Sequence, residues 1–236
     1  MAANPSLESF DATQVALMEE RVIVVDTQDK AERPGTKLET HLLENIDKGL
    51  LHRAFSVFLF NSEGKLLLQK RSDDKITFPA YWANTCCSHP LWVDGEMELK
   101  DALGVKRAAI RKLEHELGIK AEQVPIEKFH YLTRIHYVAK MEGTQWGEHE
   151  IDHVLVIQAD VDVAPVPNEV AEARYFSEEE LKTFLEEAPE KGTLISPWFG
   201  YIQKMFLGKW WQAMRDGDLK SCEDHETIHR IAPAKE

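Results

Sequence analysis

The sequence predicts one α+β domain, and three observations carry that expectation. Short apolar runs bounded by turn residues recur along the chain, as buried strands require. A few segments instead repeat their apolar residues every three to four positions, as amphipathic helices do. Between residues 20 and 215 no repeat, low-complexity tract or linker separates two domains. With 236 residues, 43% of them apolar, the chain can bury a sizeable core.

Taken in order, residues 1–20 are polar and small and are expected to form a flexible N-terminal arm or a short helix. Residues 22–25 (VIVV) read as a buried strand ending at Asp26. Residues 26–52 read as loop, with Pro34-Gly35 as a turn. Residues 54–60 and 66–69 flank Asn61-Ser62-Glu63-Gly64 as a hairpin. The chain is then irregular through Pro79 and Pro90. Residues 102–117 predict a helix with Val105, Ala109, Leu113 and Leu117 on one face, stopped by Gly118. Residues 129–138 and 151–159 read as strands. Ser177 opens a capping box with Glu180 and starts a helix to Glu187. Ser196-Pro197 supplies the cap and first position of a further helix with the stripe Phe199, Ile202, Phe206 and Trp210. Residues 216–236 are expected to be a C-terminal tail.

The net charge of −13 argues against nucleic-acid and anionic-membrane partners, which require clustered Lys and Arg. No run of about 18 apolar residues predicts a membrane span. An anionic substrate would need local positive charge or metal against this background. Of the three cysteines, Cys86 and Cys87 are adjacent, a spacing that disulfide geometry hardly permits. A reduced compartment, the cytoplasm, is therefore expected, with a plastid as the alternative if a leader has been removed. The acidic surface predicts a monomer.

Two motifs carry candidate chemistry. In Trp146-Gly147-Glu148-His149-Glu150-Ile151-Asp152, strand alternation points Glu148 and Glu150 to one face. Two carboxylates entering a core need a cation between them; an exposed strand edge with solvated charges is the competing reading. His41, His52 and His89 are candidate partners, although their spacing does not select them among ten histidines. Such a mixed nitrogen and oxygen set suits Zn, Mn or Fe(II) better than Mg. Residues 111–119 (RKLEHELGI) partly match the Nudix box, a helix that presents carboxylates to metal on a diphosphate. Arg111, Leu113, Glu116, Gly118 and Ile119 fit, whereas Lys112 and His115 replace expected glutamates. That substitution argues against metal-assisted hydrolysis, and an ordinary helix with a charged side remains the alternative. His225-Glu226-Thr227-Ile228-His229 matches H-E-x-x-H but has no chain after it for a third ligand, so a solvated tail helix is expected there.

The stretches NTCCSHP (84–90), WGEHEID (146–152), HRAFSVFLFN (52–61), the degenerate Nudix helix and SPWF (196–199) together resemble type I isopentenyl-diphosphate isomerases of the plant and algal kind. The resemblance runs from about residue 20 to 215, with Ala83 where that pattern would have Thr. It implies a Nudix-like α/β/α sandwich with a mixed sheet and N-terminal additions. It implies Cys87 and Glu150 as catalytic groups, with Tyr137 relaying or holding a proton and Cys87 working as a thiolate. It implies a divalent metal (Zn, Mn or Mg) at His41, His52, His89, Glu148 and Glu150. A magnesium would bridge Glu116 and the substrate's diphosphate. Lys37, Arg71, Lys75 and Ser88 would hold that diphosphate, and Trp198 would line the pocket. The partner implied is a small isoprenoid diphosphate, and no flavin is expected because no G-x-G-x-x-G turn occurs. A diphosphate hydrolase is the rival activity.

Overall fold

The computed structural model describes residues 7–231. In chain order the elements are helix α1 (Ala12–Leu17), strands β1 (Arg21–Val25) and β2 (Ala31–Thr36), helices α2 (Lys37–His41) and α3 (Leu43–Ile46), then strands β3 (His52–Phe60), β4 (Leu66–Arg71), β5 (Trp82–Ala83) and β6 (Cys86–Ser88). Helix α4 (Leu103–Leu117), strands β7 (His130–Lys140), β8 (Gly147–Gln158) and β9 (Val170–Phe176) and helix α5 (Glu178–Glu187) follow. Helix α6 (Pro197–Ile202), a π-helical stretch (Gln203–Leu207), helix α7 (Gly208–Arg215) and strand β10 (Ile228–Arg230) complete the order.

One mixed sheet runs β10-β7-β8-β3-β1-β2. Its centre is the parallel pair β3 and β8, in register from His52↔Glu150 to Phe60↔Gln158. Every position of β3 is buried because both faces of the sheet are covered. Phe58, Phe60, Val154 and Val156 pack against Trp198, Phe199, Ile202 and Trp210 of the C-terminal helices. Phe55, Val57, Leu59, Leu155 and Ile157 face the other way, onto Val105, Ala109, Leu113 and Leu117 of α4. Each such side chain contributes about 1.5–3 kcal/mol of burial. The expected α/β/α sandwich is thus the observed one. Gly118 ends α4 at φ 66°, and a Cβ there would stand 2.9 Å from the Ala164 carbonyl oxygen, so glycine is required on both counts.

The structure differs from the sequence expectations at several places. Residues 26–52 are not loop: they contain β2, α2 and α3. Strand β2 is an edge strand with polar Glu32 and Arg33 and an internal Pro34, so it lacks the alternation of a half-buried strand. The hairpin of β3 and β4 is paired only at Phe60↔Leu66, because β4 swings away to pair with the unforeseen edge strand β9. Of the expected arm or short helix, residues 1–6 lie outside the described residues, and residues 12–17 form the short helix, packed on the domain through the buried Gln14. Met18 is buried, and Phe10 meets Trp146 edge to face. Of the expected tail, residues 232–236 lie outside the described residues. Leu219 and Cys222 are buried, and β10 adds to β7 in parallel. The H-E-x-x-H stretch is therefore a turn and an edge strand rather than a solvated helix, with His225 against the Tyr131 carbonyl. Among the described residues no helix is long and apolar enough to cross a membrane.

Candidate active site and metal centre

Strand β8 carries Glu148 and Glu150 on the face that looks toward the C-terminal helices, both about 95% buried (5% exposed each). His52, the first residue of β3, stands directly across from Glu150. His41 ends α2 and His89 follows β6. These five side chains offer ligand atoms that all lie within 4.8 Å of one another. His89 Nε2 is 2.8 Å and His52 Nε2 3.3 Å from Glu150 Oε1; His41 Nε2 is 2.8 Å from Glu148 Oε2. His41 Nδ1 lies 2.7 Å from the Lys37 carbonyl and donates to it, which leaves the lone pair on Nε2.

His41 Nε2, His52 Nε2 and Glu148 Oε2 are buried and have no hydrogen-bond partner among the described residues, although His41 and Glu148 are close. These atoms do not bond to each other, yet they lie within 4.8 Å of one another. Uncompensated burial of that kind is costly, and a divalent cation would remove the cost. The donor set of three imidazoles and two carboxylates fits such an ion.

Tyr137 sits across from Glu150 in the β7–β8 register, and its hydroxyl donates to Glu150 Oε2. Burial works against the Glu150 charge, but the His52 imidazole at 3.3 Å and the hydrogen bond from Tyr137 hold its carboxyl below the usual range. Cys87 lies on β6 opposite Ser56 of β3. It opens into the same cavity as Tyr137, Glu148, Glu150 and Trp198. Burial pushes the Cys87 thiol up to about 12, against the pull of Arg71, whose Nη1 is 3.9 Å from Sγ. Burial and the charges of Glu116 and Glu150 disfavour the thiolate, and the Arg71 guanidinium favours it. Cys86 faces the opposite layer, fully buried against α4.

The rim of this cavity is cationic. Lys37, Arg71, Lys75 and Lys112 line it together with Ser88, Thr77 and Glu116. Arg71 is aimed by backbone: Nε donates to the Phe78 carbonyl at 3.0 Å and Nη2 to the Thr77 carbonyl at 2.8 Å. Phe78 (φ 48°) and Ala80 (φ 63°) are left-handed non-glycine residues, so the turn that presents those carbonyls is strained. Burial and the neighbouring Lys75 and Lys112 bring Lys37 down to about 8. Glu116 stands apart from the five-residue cluster, with Lys112 Nζ at 3.2 Å from Oε1 and Gln69 Nε2 at 2.9 Å from Oε2. It offers one carboxylate, so a magnesium there would draw its other oxygens from a ligand and water.

Every residue to which the resemblance assigns a role lies at this one site, with His41 and His52 buried behind the cavity wall. Lys112, Thr77, Gln69 and Glu169 were missed. Lys112 had a signal, since it stands where the Nudix box would have an acid. Glu169, which takes Lys75 Nζ at 2.6 Å, had none.

The fold and the residues it brings together define a NUDIX domain, and residues 50–199 match the NUDIX domain family. A crystal structure of a protein from Deinococcus radiodurans shares the fold, with a TM-score of 0.53 at 16% identity over 79% of this chain and 99% of that one. The chain is 52% identical to the isopentenyl-diphosphate Delta-isomerase of Dictyostelium discoideum over 92% of each. It is 51% identical to isopentenyl-diphosphate Delta-isomerase 1 of Bos taurus over 96% of this chain and 98% of that one. It is 51% identical to the chloroplastic isopentenyl-diphosphate Delta-isomerase II of Arabidopsis thaliana over 94% of this chain and 79% of that one. This chain belongs to the isopentenyl-diphosphate Delta-isomerase family.

Proposed function

We propose that the chain interconverts isopentenyl diphosphate and dimethylallyl diphosphate by moving one double bond with two proton transfers. The observation that carries this reading is a single cavity with a thiol, a buried carboxylate–phenol pair and a cationic rim. An unactivated alkene must take a proton at its terminal carbon, which leaves a tertiary carbocation. Loss of a proton from the neighbouring methylene then completes the shift. One group donates and another accepts, and each reverses its role in the back reaction.

Cys87 and Glu150 are the catalytic pair in this proposal. Glu150 holds a proton together with the Tyr137 hydroxyl at Oε2, while Oε1 stays among the histidines. A divalent ion bound by His41, His52, His89, Glu148 and Glu150 supplies Lewis acidity that lowers the basicity of that carboxylate. Lys37, Arg71, Lys75, Lys112 and Ser88 bind the diphosphate, and Glu116 would hold the magnesium that accompanies it. Trp198 offers a π face to the cation, an interaction of about 2 kcal/mol when desolvated. Phe78 at 5.2 Å and Tyr137 at 6.4 Å between ring centroids fix that indole. The buried walls exclude water, which would otherwise capture the carbocation. The free cysteines support a reduced compartment, the cytoplasm.

Incubation with isopentenyl diphosphate and divalent metal in D₂O, followed by NMR, tests the reading. Deuterium in a methyl group of dimethylallyl diphosphate is the expected result. Release of inorganic phosphate or a monophosphate would select the hydrolase, and recovery of unlabelled substrate would remove turnover altogether.

A further inference from the structure

Glu169 lies just before β9 and is 2% exposed. A carboxylate so placed, beside a cavity that takes an anion, needs a reason. Its Oε2 receives Lys75 Nζ at 2.6 Å and stands 4.0 Å from Lys112 Nζ. Its Oε1 receives Gln14 Nε2 at 2.9 Å. Gln14, 3% exposed on α1, also donates to Asn168 Oδ1 at 2.8 Å. Asn168 Nδ2 in turn donates to Asp11 Oδ1 at 2.9 Å, the same oxygen that caps α1 through the Thr13 N–H. One chain of contacts thus runs from the first turn of the N-terminal helix to two lysines of the cationic rim.

We propose that Glu169 is a positioning residue of the diphosphate subsite and that Gln14 makes the N-terminal helix part of that subsite. The inference rests on the diphosphate reading of the cavity. Lys37, Lys75 and Lys112 repel one another, and Lys75 and Lys112 are long, flexible side chains that a bound anion must find in place. Glu169 fixes the Lys75 ammonium before the anion arrives and shares the holding of Lys112 with Glu116, which is nearer at 3.2 Å, so ordering them is not charged to binding. A competing effect exists: the carboxylate also repels the incoming diphosphate. The ion pair holds Lys75 at 2.6 Å, and on this proposal the positioning outweighs the repulsion, so that loss of Glu169 weakens binding.

The test is calorimetric binding of inorganic diphosphate with Mg²⁺ to the full chain, alongside steady-state kinetics with isopentenyl diphosphate. Glu169→Gln is expected to raise the Kd for inorganic diphosphate and the KM roughly tenfold, with kcat changed less than about twofold. Glu169→Asp should recover part of the loss, and Gln14→Leu should raise both constants about threefold. A role in stability alone would lower the melting temperature and leave Kd and KM unmoved, which would overturn the proposal; tighter binding by Glu169→Gln would overturn it as well. If Glu169→Gln does not fold, Gln14→Leu and Glu169→Asp decide on the same constants. A wild-type chain that binds inorganic diphosphate without isomerising would sink the activity and leave this assignment to the Kd ratios. One that does not bind inorganic diphosphate would sink the subsite itself.

Discussion

The parallel pair β3 and β8 carries a buried charge cluster on each face, and the two clusters differ in kind. On the α4 face, the Asp29 carboxylate meets Arg53 Nε at 2.7 Å, His153 Nε2 at 2.8 Å and Arg134 Nη1 at 3.3 Å. On the opposite face, Glu148 and Glu150 meet three imidazoles and a phenol. The first cluster brings its own permanent cations. Burial disfavours the Asp29 charge, but His153 and Arg53 overcome it and hold the carboxyl well below the usual range. The second cluster sets two carboxylates against three imidazoles, with no arginine or lysine among its members. A cluster that closes on itself clamps the fold; one that needs a cation from outside is built for a ligand.

The comparison can be broken most directly at Glu150 and Cys87. Glu150→Gln and Cys87→Ser are each expected to cost roughly 10²–10⁴ in kcat, with the far-ultraviolet circular dichroism unchanged. Full turnover by either would remove the proposed pair. Chelation of divalent metal comes next. It should abolish turnover and lower the melting temperature, and added metal should restore both. A melting curve indifferent to chelator would make the His/Glu cluster as self-sufficient as the Asp29 cluster.

On the other face, Asp29→Asn leaves Arg53 buried without its partner and should cost about 3–5 kcal/mol in stability, while kcat stays as it was. The same carboxylate sets a pH dependence. Because its folded value lies below the ordinary 3.8, its contribution is fully present above that value and is lost as the pH falls through the folded value. Acid unfolding monitored by tryptophan fluorescence should therefore shift in Asp29→Asn, which has lost this contribution. The smallest effect belongs to Cys86→Ala, which should cost about 1 kcal/mol and less than twofold in activity. An inactive Cys86→Ala would reverse the roles assigned to the two thiols.

What could be read from the sequence follows the range of the interactions. Alternation along β8 put Glu148 and Glu150 on one face, and the helical stripe with its terminal glycine placed α4; both signals lie within a dozen or so residues. The ligand histidines could not be chosen by spacing, because His41, His52 and His89 come from a helix end, a strand start and a loop that meet only in the fold; the resemblance supplied them. Strand β2, with Glu32 and Arg33 in an edge, and the five-residue α2 are too polar or too short to leave a periodic trace. Glu169 is reached from Lys75 across 94 residues and from Gln14 across 155, and no local pattern announces such a contact. The balance at Cys87 was half legible, because a sequence displays nearby cations but not the degree of burial that opposes them.

Cys86 and Cys87 are consecutive on β6 yet open to different layers of the protein. A bulky electrophile arriving from water can reach only the second, since the first is sealed under α4. An adduct on Cys87, suppressed by added inorganic diphosphate, would make that short strand a gauge of how many copies in a preparation still own an open pocket.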